Sequence, residues 1–146
     1  MTTIDARLVA LTKEAKDALH GLEYVKISNF PFLVGRDQRV RESDGKQHVV
    51  ERRKNEGAPA NHCYLIESHE PMYISREHFS VHHLGGDQYS LMDRNSACGT
   101  IVEGAVVGGG DTGGAIDLKP GQTIQVGTSK SLYLFRFEVK AHTVEP

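Results

Sequence analysis

Nine short apolar runs, each closed off by Gly, Pro, Asn or Asp, divide this chain into strand-sized pieces and leave almost nothing long enough for a helix. They are "ARLVAL" (Ala6 to Leu11), "EYVKI" (Glu23 to Ile27), "PFLVG" (Pro31 to Gly35), "CYLIE" (Cys63 to Glu67), "HFSVHHL" (His78 to Leu84), "QYSLMD" (Gln88 to Asp93), "TIVEG" (Thr100 to Gly104), "QTIQVG" (Gln122 to Gly127) and "LYLFRFEV" (Leu132 to Val139). Runs of this length, rich in β-branched and aromatic residues and bounded by turn formers, predict strands. So many of them predict an all-β sandwich or barrel. "LGGDQYS" joins two of the runs through Gly-Gly-Asp, a good hairpin turn. The one helix-like stretch, Lys13 to His20 before Gly21, fits two helical turns or a loop.

The 146 residues fit a single domain large enough to be stabilised by its own core. No apolar segment reaches the length of a membrane span, and the N-terminal stretch mixes acids and bases where a secretory signal needs an apolar run. The expected compartment is the cytoplasm. Cys63 and Cys98 form neither a CxxC pair nor a zinc spacing, so both are expected as free thiols. A net charge of −2 provides no general attraction to nucleic acid or to an anionic membrane. Any anion site must therefore be local, which directs attention to the arginines.

Three segments put polar groups at strand ends. In "PFLVGRD" an apolar run ends in Gly35 followed directly by Arg36, which aims a fixed cation past the sheet while glycine permits close approach. In "YISREHFSVHHL" Ser75, Arg76 and His78 precede or start a strand; a hydroxyl and a guanidinium there can face one anion, and arginine can hold phosphate with two parallel hydrogen bonds. Alone, that cluster is a weak motif and reads more readily as a capped turn with a core-edge histidine. In "LMDRNSACGTIVEG" a strand ends at Asp93, a tight loop follows, and a new strand starts at Thr100.

Taken in order, Gly-Arg, Ser-Arg-x-His, Asp-x-x-Ser-x-x-Gly-Thr-x-Val-x-Gly and "LKPGQTIQVG" resemble the forkhead-associated (FHA) domain over residues 23–139. The resemblance implies an antiparallel β-sandwich of about eleven strands that binds phosphothreonine peptides with loops at one end. It maps the phosphate ligands to Arg36 and Ser75 with help from Arg76, the peptide contacts to the loop Asn95, Ser96, Ala97 and Cys98, and the residues that shape those loops to Gly35, His78 and Gly99. A phosphothreonine, with about −1.5 to −2 charge and three acceptor oxygens, suits such a set mounted on a rigid scaffold. The chain departs from the family where Thr-Asn usually precedes Gly-Thr: it has Ala97 and Cys98. Cysteine is a weak donor and acceptor, so a clamp on the peptide backbone of about 0.5–1.5 kcal/mol is lost. Glu103, in "VEG" where the family often has "VNG", would further disfavour phosphate if it lay near the site.

A polar insertion, residues 36–62, follows the third expected strand and has room for a small hairpin turning at Ser43 to Gly45. Its first part, Arg36 to Lys54, holds seven Lys or Arg against four acids, and Arg52 and Arg53 in "ERRK" are outside candidates for a second acidic contact. The glycine-rich "VVGGGDTGGAI" is expected to move freely.

Other chemistries fit poorly. His78 and His82 are separated by about 13 Å on a strand, too far for one metal. "GGGDTG" spells GxGxxG but precedes no helix. "DRNSACG" begins like a calcium loop but has Ala97, Cys98 and Gly104 where ligands and the turn glycine belong. No nucleophile elbow, P-loop or HExxH occurs, and no cofactor is expected. Cys98 is expected at the exposed rim, where arginines would lower its pKa. The expectation is a single FHA-like domain, non-enzymatic, binding a phosphorylated protein or peptide as an adaptor in Ser/Thr kinase signalling. The chain stops soon after its last strand, and no attached catalytic domain is expected. The alternative is a scaffold with the same fold that binds a protein partner independently of phosphorylation.

Overall fold

The computed structural model describes residues 2–37, 40–43, 46–49, 61–68 and 70–143. Each of the nine apolar runs overlaps a strand: β1 (Thr2–Ala10), β2 (Tyr24–Lys26), β3 (Phe32–Arg36), β6 (Cys63–Leu65), β7 (Phe79–Gly85), β8 (Gln88–Asp93), β9 (Thr100–Val102), β12 (Thr123–Val126) and β13 (Leu134–Thr143). Two more, β10 (Ala105–Val107) and β11 (Gly114–Leu118), are too short or too glycine-rich to stand out in the sequence and form because β9 and β8 offer them open edges. These strands make two sheets, ordered β10-β9-β12-β13-β1-β2 and β11-β8-β7-β3-β6. A separate ribbon pairs β4 (Val40–Ser43) with β5 (Lys46–Val49) inside the insertion, flanking the expected turn, whose Asp44 and Gly45 lie outside the described residues. Arg52 and Arg53 lie outside them as well.

Among the described residues every pairing is antiparallel except one. β3 and β6 run parallel, with Val34 opposite Cys63 and Arg36 opposite Leu65. The physical reason is the insertion: a connection of that length carries the chain back to the end of the sheet where β3 began, which a tight hairpin cannot do.

Period-two alternation points Phe79 and Val81 of β7, Tyr89 and Leu91 of β8, Ile124 and Val126 of β12, and Phe135 and Phe137 of β13 into the gap between the sheets, where all are buried. Tyr89 meets Phe137 edge-on across the gap, ring centres 5.1 Å apart, a favoured aromatic geometry. The helical reading of the N-terminal region holds: α1 (Lys13–Ala18) is capped by the Thr12 hydroxyl, which accepts the Ala15 N–H at 3.1 Å, and it buries Ala15 and Ala18. Among the described residues no helix is long and apolar enough to cross a membrane.

What matters for function is which ends meet. Val34 pairs with Phe79, and Phe79 pairs with Asp93, so the end of β3, the start of β7 and the end of β8 lie side by side. The chain segments 74–78 and 94–99 therefore emerge at the same end of the sandwich as Arg36.

Candidate functional site

His78 ties the two emerging loops together. It is fully buried, and the Ser75 N–H donates to its Nδ1 at 3.0 Å. That nitrogen must therefore be unprotonated, which puts the proton on Nε2, where it is donated to the Gly99 carbonyl at 2.7 Å. The neutral ring spans both sheets, because Gly99 also accepts the Gly127 N–H at 3.0 Å. Burial pushes the His78 pKa below the ordinary histidine value, against the opposing pull of the Gly99 carbonyl and Asp93.

Asp93, buried at the end of β8, organises the loop beyond it. Its carboxylate accepts from the Ser96 N–H (2.9 Å), the Ser96 hydroxyl (2.6 Å) and the Thr100 hydroxyl (2.9 Å), and the Ser96 oxygen accepts the Gly99 N–H at 2.9 Å. Ser96 is thus fully buried and spent on the loop. This corrects the expectation that it faces a peptide: its side chain does not reach the surface. Its neighbours lie differently. Asn95 is exposed with φ of 60°, a left-handed conformation that asparagine tolerates well. Ala97 is exposed and donates its N–H to the Ser75 hydroxyl oxygen at 3.0 Å.

Cys98 is half-buried, with its thiol 3.9 Å from the Met72 carbonyl. Its pKa is raised, first by burial and then by the Glu67 carboxylate. The expectation that arginines would lower it is overturned: burial and a carboxylate both act in the opposite direction. Glu67 itself is buried, where it accepts the N–H groups of Tyr73 (2.6 Å) and Ile74 (3.1 Å) and so shapes the segment before Ser75.

These loops enclose an open cleft of about 340 Å³ bordered by Arg36, Ser75, Arg76, Glu77, Arg94, Asn95 and Asp111. Arg36 is only 7% exposed; its Nη1 donates to the Ile74 carbonyl and its backbone N–H to the Ser75 carbonyl, both at 2.9 Å. The Ser75 hydroxyl accepts from Ala97, and among the described residues no acceptor takes its proton, which remains available to a ligand. Arg76 is exposed at the rim. Glycine at position 35 is required by contact: a Cβ there would overlap the Arg76 carbonyl and stand 2.6 Å from the Asn61 side-chain nitrogen. Gly35→Ala is expected to force β3 off this loop and cost about 3 kcal/mol or more. A melt of the variant should show a markedly lower Tm; an unchanged Tm would mean the two segments separate easily.

The glycine-rich loop does not match its expectation of free movement. Gly110 donates to the Ala97 carbonyl at 2.9 Å and Asp111 to the Ser96 carbonyl at 3.1 Å. Gly108, with φ of 72°, passes so close that a Cβ would strike the Asp93 carboxylate. Lack of side chains here permits contact and does not impose freedom. Glu103 is also placed differently from the feared position beside the anion site. It sits in the turn after β9, where its carboxylate accepts the Thr123 N–H at 2.7 Å, and it does not border the cleft.

Of the residues singled out in the sequence, Arg36, Ser75, Arg76 and Asn95 share the cleft, Gly35, His78, Ser96 and Gly99 support it, and Ala97 and Cys98 flank it. Missed were Arg94, Glu77, Asp111 and Asn61. Arg94 had one signal, its place directly after a strand end, as Arg36 has after Gly35. Among the described residues no group of three or more His, Cys, Asp or Glu is placed to hold a metal.

Comparison with protein families matches the FHA domain over residues 33–127. Comparison with curated proteins gives no match. Among solved structures, the fold is similar to the FHA domain of the CT664 protein from Chlamydia trachomatis (17% identity, TM-score 0.56, covering 95% of this chain and 99% of the other). It is similar too to the yeast Pml1 splicing factor (19% identity, TM-score 0.60, covering 95% and 82%) and to full-length yeast Pml1p (16%, 0.59, covering 94% and 83%). At such identities the likeness concerns the fold.

Proposed function

The chain belongs to the FHA domain family, generally phosphopeptide-binding modules, and on that footing we propose that it reads phosphothreonine peptides as a non-catalytic adaptor downstream of a Ser/Thr kinase. The observation that carries this reading is the convergence of Arg36, Ser75 and Arg76 on one cleft, with a hydroxyl proton still available beside two guanidinium groups. Arg36, held by the Ile74 carbonyl, supplies the fixed charge; Ser75, held by His78 and Ala97, supplies a donor; Arg76 supplies a second charge from the rim. Donors preset in this way lose little entropy on binding a phosphate. Asn95 and the backbone around Ala97 and Cys98 are the proposed peptide contacts.

A second reading is favoured by one feature. Where family members usually carry Thr-Asn, the Cys98 thiol points at the Met72 carbonyl, so the usual clamp on the peptide backbone is missing, which favours a scaffold that binds a protein partner without phosphate. Capture of partners on the immobilised protein, from lysate with and without phosphatase treatment, separates the two. Partners lost after phosphatase are the expected result, together with preference for a phosphothreonine peptide over its phosphoserine and unphosphorylated forms. Partners retained after phosphatase would favour the scaffold.

A further inference from the structure

Among the described residues five charged side chains border the cleft, and three of them are arginines. Arg36, Arg76 and Arg94 against Glu77 and Asp111 leave a formal charge of +1; without Arg94 the cleft would be neutral. A phosphothreonine brings about −1.5 to −2. Whether the cleft attracts a dianion electrostatically thus turns on Arg94.

Arg94 is also held. Its backbone N–H donates to the His78 carbonyl at 2.8 Å, and its Nη1 donates to Oδ1 of Asn61. Asn61 is only 2% exposed; its amide nitrogen donates to the Arg76 carbonyl at 2.7 Å, and its own backbone N–H donates to the Tyr64 hydroxyl at 3.2 Å. One buried amide therefore fixes the Arg94 guanidinium and the backbone of Arg76 at once. The other arm of Arg94, Nη2, stands 3.9 Å from Glu77 Oε1, within ion-pair range but beyond a hydrogen bond. Glu77 has a side chain 35% exposed. Loose, partly solvated pairs of this kind are weak, and a dianion in the cleft would outcompete the carboxylate for that arm.

We propose that Arg94 is an anion-binding residue of the cleft, positioned by Asn61, and that Glu77 is a built-in competitor that lowers the affinity for phosphorylated ligands. The proposal rests on the phosphopeptide reading above and deepens it. Asn61 is the positioning residue in this scheme; it touches Arg94 and the Arg76 backbone, not the ligand.

The test is a double-mutant cycle on the full chain, using the tightest-binding peptide from a degenerate phosphothreonine library and its unphosphorylated twin. Arg94→Gln is expected to weaken phosphopeptide binding about tenfold, the loss of one partly solvated charged contact. Glu77→Gln is expected to tighten it about threefold, the scale of an exposed ion pair, and to give no gain when combined with Arg94→Gln. A merely structural Arg94 would not make removal of its counter-ion beneficial. Wild-type-like affinity in Arg94→Gln, no gain in Glu77→Gln, or an equal gain in both backgrounds would overturn the proposal. Should Arg94→Gln fail to fold, Arg94→Lys, which keeps the charge but loses the planar fork, takes its place in the cycle, with a smaller loss of affinity expected. If the wild type does not distinguish the phosphopeptide from its twin, the phosphate reading itself fails and this proposal goes with it.

Discussion

Arg36→Ala is expected to abolish phosphate-dependent binding, raising the Kd for a phosphothreonine peptide at least a hundredfold, or about 3 kcal/mol, the upper range for a hydrogen bond to a charged group. The size follows from burial. Arg36 is 7% exposed, and its Nη1 is already oriented by the Ile74 carbonyl at 2.9 Å. Its charge reaches the cleft from a low-dielectric wall and is screened less than that of exposed Arg76. Titration of the variant with the phosphorylated and unphosphorylated peptides is the measurement. Binding retained by Arg36→Ala would refute the assigned role. Arg36→Lys is the informative companion, since it keeps the charge and loses the planar fork; it should recover only part of the affinity. Thermal melts of both report separately on the bond to Ile74.

His78→Leu should produce the second large effect, on stability and binding together. Leucine keeps roughly the volume but leaves the part-buried Ser75 N–H without its acceptor and removes one of the donors to the buried Gly99 carbonyl. Buried groups left unsatisfied cost about 1–3 kcal/mol each; a total of about 3 kcal/mol would lower the Tm by about 6–12 °C in a chain this size. The Ser75 hydroxyl would lose its setting, so phosphopeptide affinity should fall with it.

The same residue predicts a pH dependence with a definite sign. The folded-state pKa of His78 is depressed, chiefly by burial. Between the folded value and about 6.5, the ordinary value reached on unfolding, the unfolded chain binds more protons. Stability from neutral His78 is therefore complete above about pH 6.5 and is lost as the pH falls below it. Urea melts of wild type and His78→Leu between pH 7.5 and 5 should show the gap between them narrowing on acidification, because the variant lacks this group. A gap that stays constant or widens would mean that His78 accepts a proton without losing its place.

The sandwich was legible because burial writes itself into strands locally. In "HFSVHHL" alternation sets Phe79 and Val81 on the face opposite His78 and His82, the core side, and both are buried. β10 and β11 escaped notice because a short or glycine-rich strand at a sheet edge is made by its neighbour's open hydrogen bonds. The parallel β3–β6 pair was hidden for a related reason: direction depends on the path of the insertion, and pairing leaves no mark in "CYLIE".

The candidate site divides along the same line. Gly35, Arg36, Ser75, Arg76 and His78 could be picked out as a set because each sits beside a strand end in an ordered motif, and residue type plus position relative to a strand are properties of the sequence. The inward turn of Ser96 onto Asp93, the anchoring of the glycine-rich loop on the Ser96 and Ala97 carbonyls, and the clamp from Asn61 to Arg94 were decided only by tertiary structure. Each depends on backbone segments distant in sequence arriving within about 3 Å of one another, the range over which hydrogen bonds act, and such distances are set by sheet register and loop path together.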